Sequence, residues 1–433
     1  MPDTPAGSSE LTDRRMALTR EWDRLVGQAR QLDGFADFMR LSRPQSPLPA
    51  EADGPVAVIN ISQWRCDALI VTAAGIRVVE LPRLTDKAVN EQVVGYLTVL
   101  QQVDEALREL HEARDGRDDG THVAVIRYAR AQQSVVRAQR SREEKLSSVL
   151  GWLWDEIADP ILRAVGCVTT PAPGQPWPRL WWCPTGLLTL LPLHAAGRYN
   201  ESGHPIGDGV LDRVVSSYTP TLQALREAQR GADRAPGYDS ILVVALPETP
   251  GRPSLGDVAR ERELLQSLFP GQCTLLEGAD ATWDKVRSEL SRHRHAHFSC
   301  HGGQDLADPS QGGLVLHDRL LTVSDVSADE YRGDFVFLSA CMTATGGFRL
   351  PDEAITLAAA LHYTGYRHVI GTLWSVYDDT AADVAQAVYR DMAATGSLDP
   401  GRSARALHDA VRWLRDGGRV PPSAWAPFTH TGP

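Results

Sequence analysis

A histidine and a cysteine, His301 and Cys341, each end a short apolar segment of this 433-residue chain. Ala296-His297-Phe298-Ser299-Cys300 precedes the first, and Asp334-Phe335-Val336-Phe337-Leu338-Ser339-Ala340 precedes the second. Both segments have the length and composition of buried strands, and both open at once into small residues, Gly302-Gly303 and Met342-Thr343-Ala344-Thr345-Gly346-Gly347. Open α/β sheets bind ligands beyond the carboxyl ends of their strands, so the two side chains are expected side by side on one functional edge. A thiol facing an imidazole is a nucleophile with its proton acceptor. The N–H groups of Gly302 and Cys341 are the natural donors to an oxyanion, and one such donor is worth about 2.7–4 kcal/mol where it has been removed.

Other chemistries find less support. No G-x-S-x-G elbow precedes a helix, Ser339 lies inside its strand, and no phosphate-cradling glycine loop follows a strand. Cys300 adjoins His301, but neighbouring strand residues point to opposite faces, so Cys300 is expected in the core. His293, His295 and His297 alternate without placeable acidic or thiolate partners, so neither a metal nor a cofactor is expected. The six cysteines, 66, 167, 183, 273, 300 and 341, show no C-x-x-C pairing, which speaks against a zinc site and a disulfide framework and fits a reducing cytoplasm. A formal charge of −11 disfavours nucleic acid, and the basic run Arg127–Arg142 carries helical periodicity, so it is read as a solvated helix face. No apolar run approaches the ~18–20 residues of a membrane span, and the N-terminus lacks the basic and apolar regions of a secretory signal.

Positioning the pair requires a sheet with helices on both sides. Residues 9–42 read as helical, followed by a Pro- and Ala-rich linker, 43–55. Three strands follow at Val56–Ile61, Asp67–Val71 and Ile76–Leu81, then two long helices, Asp86–Arg114 and His122–Leu150, as an antiparallel hairpin, with Trp152–Ala164 continuing the second. Arg179–Pro184 is a strand, and a second linker lies at Gly231–Gly237. From Ser240 onward strands and helices alternate, which implies βαβ units in a doubly wound parallel sheet. A hairpin is expected at Leu314–Leu321. No repeat of 20–50 residues is visible.

Several blocks resemble the CHAT family of caspase-like cysteine peptidases, relatives of the separases. Phe298-Ser299-Cys300-His301-Gly302 is similar to its "THG" block and Leu338-Ser339-Ala340-Cys341-Met342-Thr343 to its "LSAC-x-T" block. Ile370–Asp379, containing Thr372-Leu373-Trp374-Ser375-Val376, resembles "SLW-x-V-x-D", and Ala424-Trp425-Ala426-Pro427-Phe428 resembles the closing "WAAF" strand. Upstream, Asn60–Leu69, Trp182–Leu187 and Leu191–Gly197 are similar to the family's first half. The likeness covers about residues 53–430. Met342 stands where the family often has Glu, and only a helical segment stands where many members carry tetratricopeptide repeats.

The resemblance implies a caspase-like α/β fold. An N-terminal helical segment and linker (1–52) would precede a non-catalytic half (53–235, with a helical hairpin at about 85–165) and a catalytic half (236–433). It implies His301 as general base and acid and Cys341 as nucleophile. It also puts the substrate pocket at Ser339, Trp374, Asp378 and Asp379. Relatives that cut after basic residues line that pocket with acids, so a preference for Arg or Lys is one expectation. The other is that Asp378 and Asp379 solvate the start of the next helix. The implied function is a cytoplasmic endopeptidase acting on a protein partner, such as a gasdermin-like effector, in bacterial defence or cell death, with an activator protein as a further partner. The 86–163 helices are the expected docking surface. A caspase-like scaffold that no longer cleaves is the alternative, and an acyltransferase using the same pair is a third.

Overall fold

The short apolar runs pair into sheets because each carries β-branched or aromatic residues that suit a pleated surface. The structure, a computed structural model, describes residues 6–31, 54–115, 122–200, 203–230, 238–305, 308–345, 356–418 and 420–433. Both expected linkers, 43–55 and 231–237, fall almost wholly outside the described residues, as does the loop 116–121. The chain divides into two units, residues 1–48 and 49–433. The first contributes one helix, Ala6–Ala29, with Met16, Leu18, Trp22 and Leu25 exposed.

In the second unit the strands are β1 (Val56–Asn60), β2 (Asp67–Thr72), β3 (Gly75–Glu80), β4 (Arg179–Pro184), β5 (Val215–Tyr218), β6 (Tyr238–Ala245), β7 (Cys273–Glu277) and β8 (His293–Ser299). Then come β9 (Gly302–Gly303), β10 (Gly313–Val315), β11 (Leu320–Thr322), β12 (Phe335–Ser339), β13 (His368–Thr372) and β14 (Phe428–Thr431). Eleven of them form one sheet in the order β3-β2-β1-β4-β5-β14-β13-β12-β8-β6-β7, and β9–β11 form a small second sheet that includes the expected hairpin. The five strands at one end of the large sheet come from residues 56–218 and the other six from 238–431.

Strands β1, β4, β5 and β14 run parallel to one another, while β14 pairs antiparallel with β13. From β13 the strands β12, β8, β6 and β7 are again all parallel. The two halves of the sheet therefore point in opposite directions, and their carboxyl edges lie at opposite ends of the strands.

Alternate residues feed the two faces. Phe335 and Phe337 enter the larger core, shared by both halves, while Val336 and Leu338 enter a smaller one. Helices on both faces explain the continuous apolar runs, as in other buried parallel strands. The long helices Asp86–Asp115 and His122–Leu153 form the expected hairpin, and a π-helical turn, Trp154–Ala158, links the second to Asp159–Ala164. One expectation is corrected. The segment expected to be a closing strand from Ala424 begins as a helical turn, Pro422–Trp425, with Ala426 N–H bonded to Pro422 O at 2.9 Å, and the strand starts only at Phe428. Pro422 suits the first position of a helix, where its missing N–H costs nothing.

Candidate active site

Parallel register brings the two candidate residues together. β8 pairs with β12 so that Ser299 faces Ser339, and Cys300 N–H reaches Ser339 O at 3.4 Å. Two residues beyond that pair on each strand, His301 and Cys341 line a common cavity of about 40 Å3. Gly302 is held tightly against the same turn, since a Cβ there would lie 2.5 Å from the Cys341 carbonyl oxygen. The close approach requires glycine. Gly302 pairs with Leu314, while Val315 N–H bonds His301 O at 2.8 Å. Hydrogen-bonded and non-bonded positions alternate in an antiparallel ladder, so the Gly302 N–H turns away from β10 toward the open edge of β9.

His301 Nε2 lies 2.8 Å from the Pro253 carbonyl oxygen. A carbonyl only accepts, so Nε2 carries the proton and Nδ1 is the basic nitrogen of the neutral ring. Pro253 sits in the Pro- and Gly-rich loop that follows β6.

The Cys341 thiol lies beside the segment after β13, whose Val376 lines the same cavity, and the Ser375 hydroxyl and the Val376 backbone act on it. Burial pushes its pKa above the usual thiol range. These two donors pull it down, and the charges of Asp378 and Asp104 push it further up. Met342, which follows, adopts φ 58°, the one positive φ outside glycine among the described residues.

Beneath the pair lies a residue that the sequence reading missed. Glu261, on the helix Val258–Leu268, is 3% exposed. Its carboxylate meets His297 Nε2 at 2.7 Å and accepts from the Ser299 hydroxyl at 2.7 Å and the Ser339 hydroxyl at 2.8 Å. Ser299 and Ser339 stand two residues before His301 and Cys341, so this one carboxylate ties together the strands that carry both. A glutamate on a helix face gives no sequence signal for this, because its partners lie 36 to 78 residues away.

The expected pocket residues part company. Ser339 and Asp378 line the cavity together with Asp257 and Glu261, and among the described residues no Lys or Arg does so. Burial lifts the Asp378 carboxyl above the usual range; Gly256 N–H and His301 oppose this, and Asp257 and Glu261 reinforce it. Asp378 Oδ2 accepts from Gly256 N–H at 3.1 Å. Asp379 accepts from Thr380 N–H at 2.6 Å in the first turn of the helix Asp378–Met392, and it does not line the cavity. Trp374 is buried, donating to Ser423 O at 2.8 Å and packed edge-on against Tyr96 with centroids 5.3 Å apart.

Cys300 is 2% exposed in the smaller core, where burial raises its thiol pKa. All six cysteines are free. No group of three or more His, Cys, Asp or Glu among the described residues is arranged to hold a metal ion. None of the described helices is long and apolar enough to cross a membrane.

Comparison with known proteins adds a family. The model of the CHAT domain matches residues 147–433. Among solved structures, the separase–securin complex of Saccharomyces cerevisiae matches with a TM-score of 0.54 at 11% identity, over 88% of this chain and 30% of that one, a likeness of fold. The RgpB pro- and mature domains of Porphyromonas gingivalis match with a TM-score of 0.39 at 10% identity, over 67% of this chain and 68% of that one. A search of curated proteins finds no match.

Proposed function

On the premise that this chain belongs to the CHAT domain family, we propose that it is a cysteine endopeptidase with Cys341 as nucleophile and His301 as general base and acid. The observation that carries this reading is the shared cavity of His301 and Cys341, with the imidazole oriented by the Pro253 carbonyl. Burial disfavours a standing thiolate, so His301 Nδ1 takes the thiol proton as the sulfur attacks the scissile carbonyl. The N–H groups of Gly302 and Cys341 receive the oxyanion. His301 returns the proton to the leaving amine, and water, deprotonated by the same ring, releases the thioester. The half formed by residues 53–235 has no catalytic part in this scheme.

The substrate side chain enters beside Asp378 and Asp257, with Ser339 and Glu261 behind them. With acids and no cation among the described lining residues, arginine or lysine is the side chain that best balances the pocket. The substrate is a protein partner, such as a gasdermin-like effector, cut in the cytoplasm in a defence or cell-death response that an activator protein triggers.

One observation favours a silent scaffold instead: the raised pKa of the Cys341 thiol. Intact-protein mass spectrometry after exposure to arginyl and aspartyl peptide chloromethylketones separates the two. The peptidase reading expects one adduct, from the arginyl reagent, on wild type and none on Cys341→Ala. Equal mass on both proteins, with the purified protein partner bound but uncut, would establish the scaffold.

A further inference from the structure

The segment beside the Cys341 thiol, whose Val376 lines the same cavity, is itself gripped by the helical hairpin of the other half of the sheet. Ser375 and Val376 lie between Trp374 and Tyr377, and both of these flanking residues reach the hairpin. Trp374 packs edge-on against Tyr96 of the helix Asp86–Asp115. The Tyr377 hydroxyl accepts from Gln139 Nε2 at 2.9 Å, on the helix His122–Leu153, and sits beside the guanidinium of Arg142. Arg142 belongs to the basic run expected to be solvated, yet it is 6% exposed. It donates to Glu143 at 3.0 Å, and Glu143 accepts from the Ser423 N–H and hydroxyl, which ties this corner to the carbonyl that holds Trp374. A buried arginine with a satisfied fork is a costly feature for a helix that only solvates a surface.

We propose that Gln139, Arg142 and Tyr377 are positioning residues for Cys341, holding Ser375 and Val376 against the sulfur so that displacement of the hairpin displaces the nucleophile's donors. The inference rests on the peptidase reading for its consequence and on these contacts for its geometry. A donor to sulfur favours the thiolate, so releasing the segment disfavours it. The other groups around the thiol are Asp378 and Asp104, which disfavour the thiolate, and His301, Asp257, Glu261 and Cys300 in the cavity lining. None of them is altered in the test.

The test is the rate of iodoacetamide alkylation of the Cys341 peptide in the full chain from pH 6 to 10. Tyr377→Phe keeps the ring and removes the hydroxyl; Gln139→Leu and Arg142→Met remove the hairpin's side of the contact. Each is expected to raise the alkylation midpoint by at least half a pH unit and to slow the reaction at pH 7 about threefold (a half-unit rise in pKa is a factor of three in thiolate), with the thermal melt of Tyr377→Phe unchanged. An unmoved midpoint in Tyr377→Phe and Gln139→Leu overturns the proposal. Alkylation needs no peptide cleavage, so a chain with no peptidase activity still reports the midpoint. A cleaving chain with an unmoved midpoint defeats the positioning role alone.

Discussion

Cys183 and Cys341 each stand at the carboxyl end of a parallel strand in one eleven-stranded sheet, at its two opposite edges. At the first edge Cys183 donates to the Pro220 carbonyl at 3.7 Å, and burial raises its pKa to about 11. Thr185 stitches the same edge shut, its hydroxyl donating to Ile59 O at 2.9 Å and accepting from Ile61 N–H at 3.1 Å. At the second edge the sulfur of Cys341 lies beside the Ser375 hydroxyl and the Val376 backbone, which lower its pKa, and His301 shares its cavity. A carbonyl beside a thiol stabilises the protonated form, whereas donors favour the thiolate. Position at a strand end does not make a nucleophile. On the proposed reading, donors beside the sulfur and a base in the same cavity do, and among the described residues the second edge brings the two together.

The largest effect expected from this contrast is on turnover. Cys341→Ala should lower peptide cleavage by roughly 10⁴-fold or more, as loss of a nucleophile does elsewhere, while Cys183→Ala should leave kcat/KM within a factor of two and cost about 1 kcal/mol of stability. Steady-state kinetics and urea unfolding of both variants check this. If activity tracked Cys183 instead, the assignment of the edges would be reversed.

The two edges are also closed by different chemistry, a threonine hydroxyl at one and a buried carboxylate at the other. Removing Glu261 leaves His297, Ser299 and Ser339 without their shared acceptor. Glu261→Ala should cost about 3–5 kcal/mol, the usual penalty for breaking a buried charged network, against about 1 kcal/mol for Thr185→Val. Urea midpoints of the two variants decide whether the second edge depends on its carboxylate. Equal losses would remove the distinction.

Between the edges runs a seam of buried histidines. His430 Nδ1 meets the Ser217 hydroxyl at 2.8 Å, and its Nε2 meets His368 at 3.2 Å and Ser403 at 3.1 Å, joining β5, β14 and β13. Burial lowers the pKa of His368 to about 3 and drives His430 and His408 well below the ordinary value; His194 falls from 6.5 to about 4. These folded pKa values lie below the unfolded one. Above about pH 6.5 both states are neutral and the stability is intact; as pH falls from 6.5 toward 4 the unfolded chain takes up protons that the folded one refuses, and stability is lost. For His194 alone the interval is 6.5 minus about 4, which at about 1.4 kcal/mol per pH unit is roughly 3 kcal/mol. Urea unfolding at pH 7, 6 and 5 should show a steady decline, less steep in His194→Gln. A flat profile would mean that these rings are not held neutral.

That His301 and Cys341 come to one cavity was legible in the sequence, because each ends a continuous apolar run and opens into small residues, a pattern that local physics alone produces. The strands, the hairpin helices and the alternation after residue 240 were legible for the same reason. What could not be read depends on the return of distant chain. The Pro253 carbonyl has no side-chain signature, and Glu261 meets partners on two strands far along the sequence. Arg142 looks like any arginine on a basic helix until Tyr377 and Glu143 close over it. The reversal of strand direction at β14 is set by how a four-residue strand docks between the halves, and periodicity does not record it.

The turns that follow the two cysteines sharpen the contrast at the smallest scale. After Cys183 the chain turns at Gly186 with φ 60°; after Cys341 it turns at Met342 with φ 58°. Glycine takes that conformation freely, whereas an L side chain there costs about 1–2 kcal/mol. The Met342 turn is pinned from beyond, with Ala344 N–H on Thr372 O at 2.9 Å, Thr372 N–H on the Thr343 hydroxyl at 3.1 Å and Ala358 N–H on Thr343 O at 3.0 Å. These bonds make the backbone geometry a property of the surroundings, so the side chain at 342 only bears its cost. Met342→Gly should therefore raise stability by about 1 kcal/mol, a few degrees in melting temperature, and Gly186→Ala should lower it by a similar amount. If Met342→Gly were destabilising instead, the Met342 side chain would be contributing packing that outweighs the backbone cost, and the turn would not be a strained one.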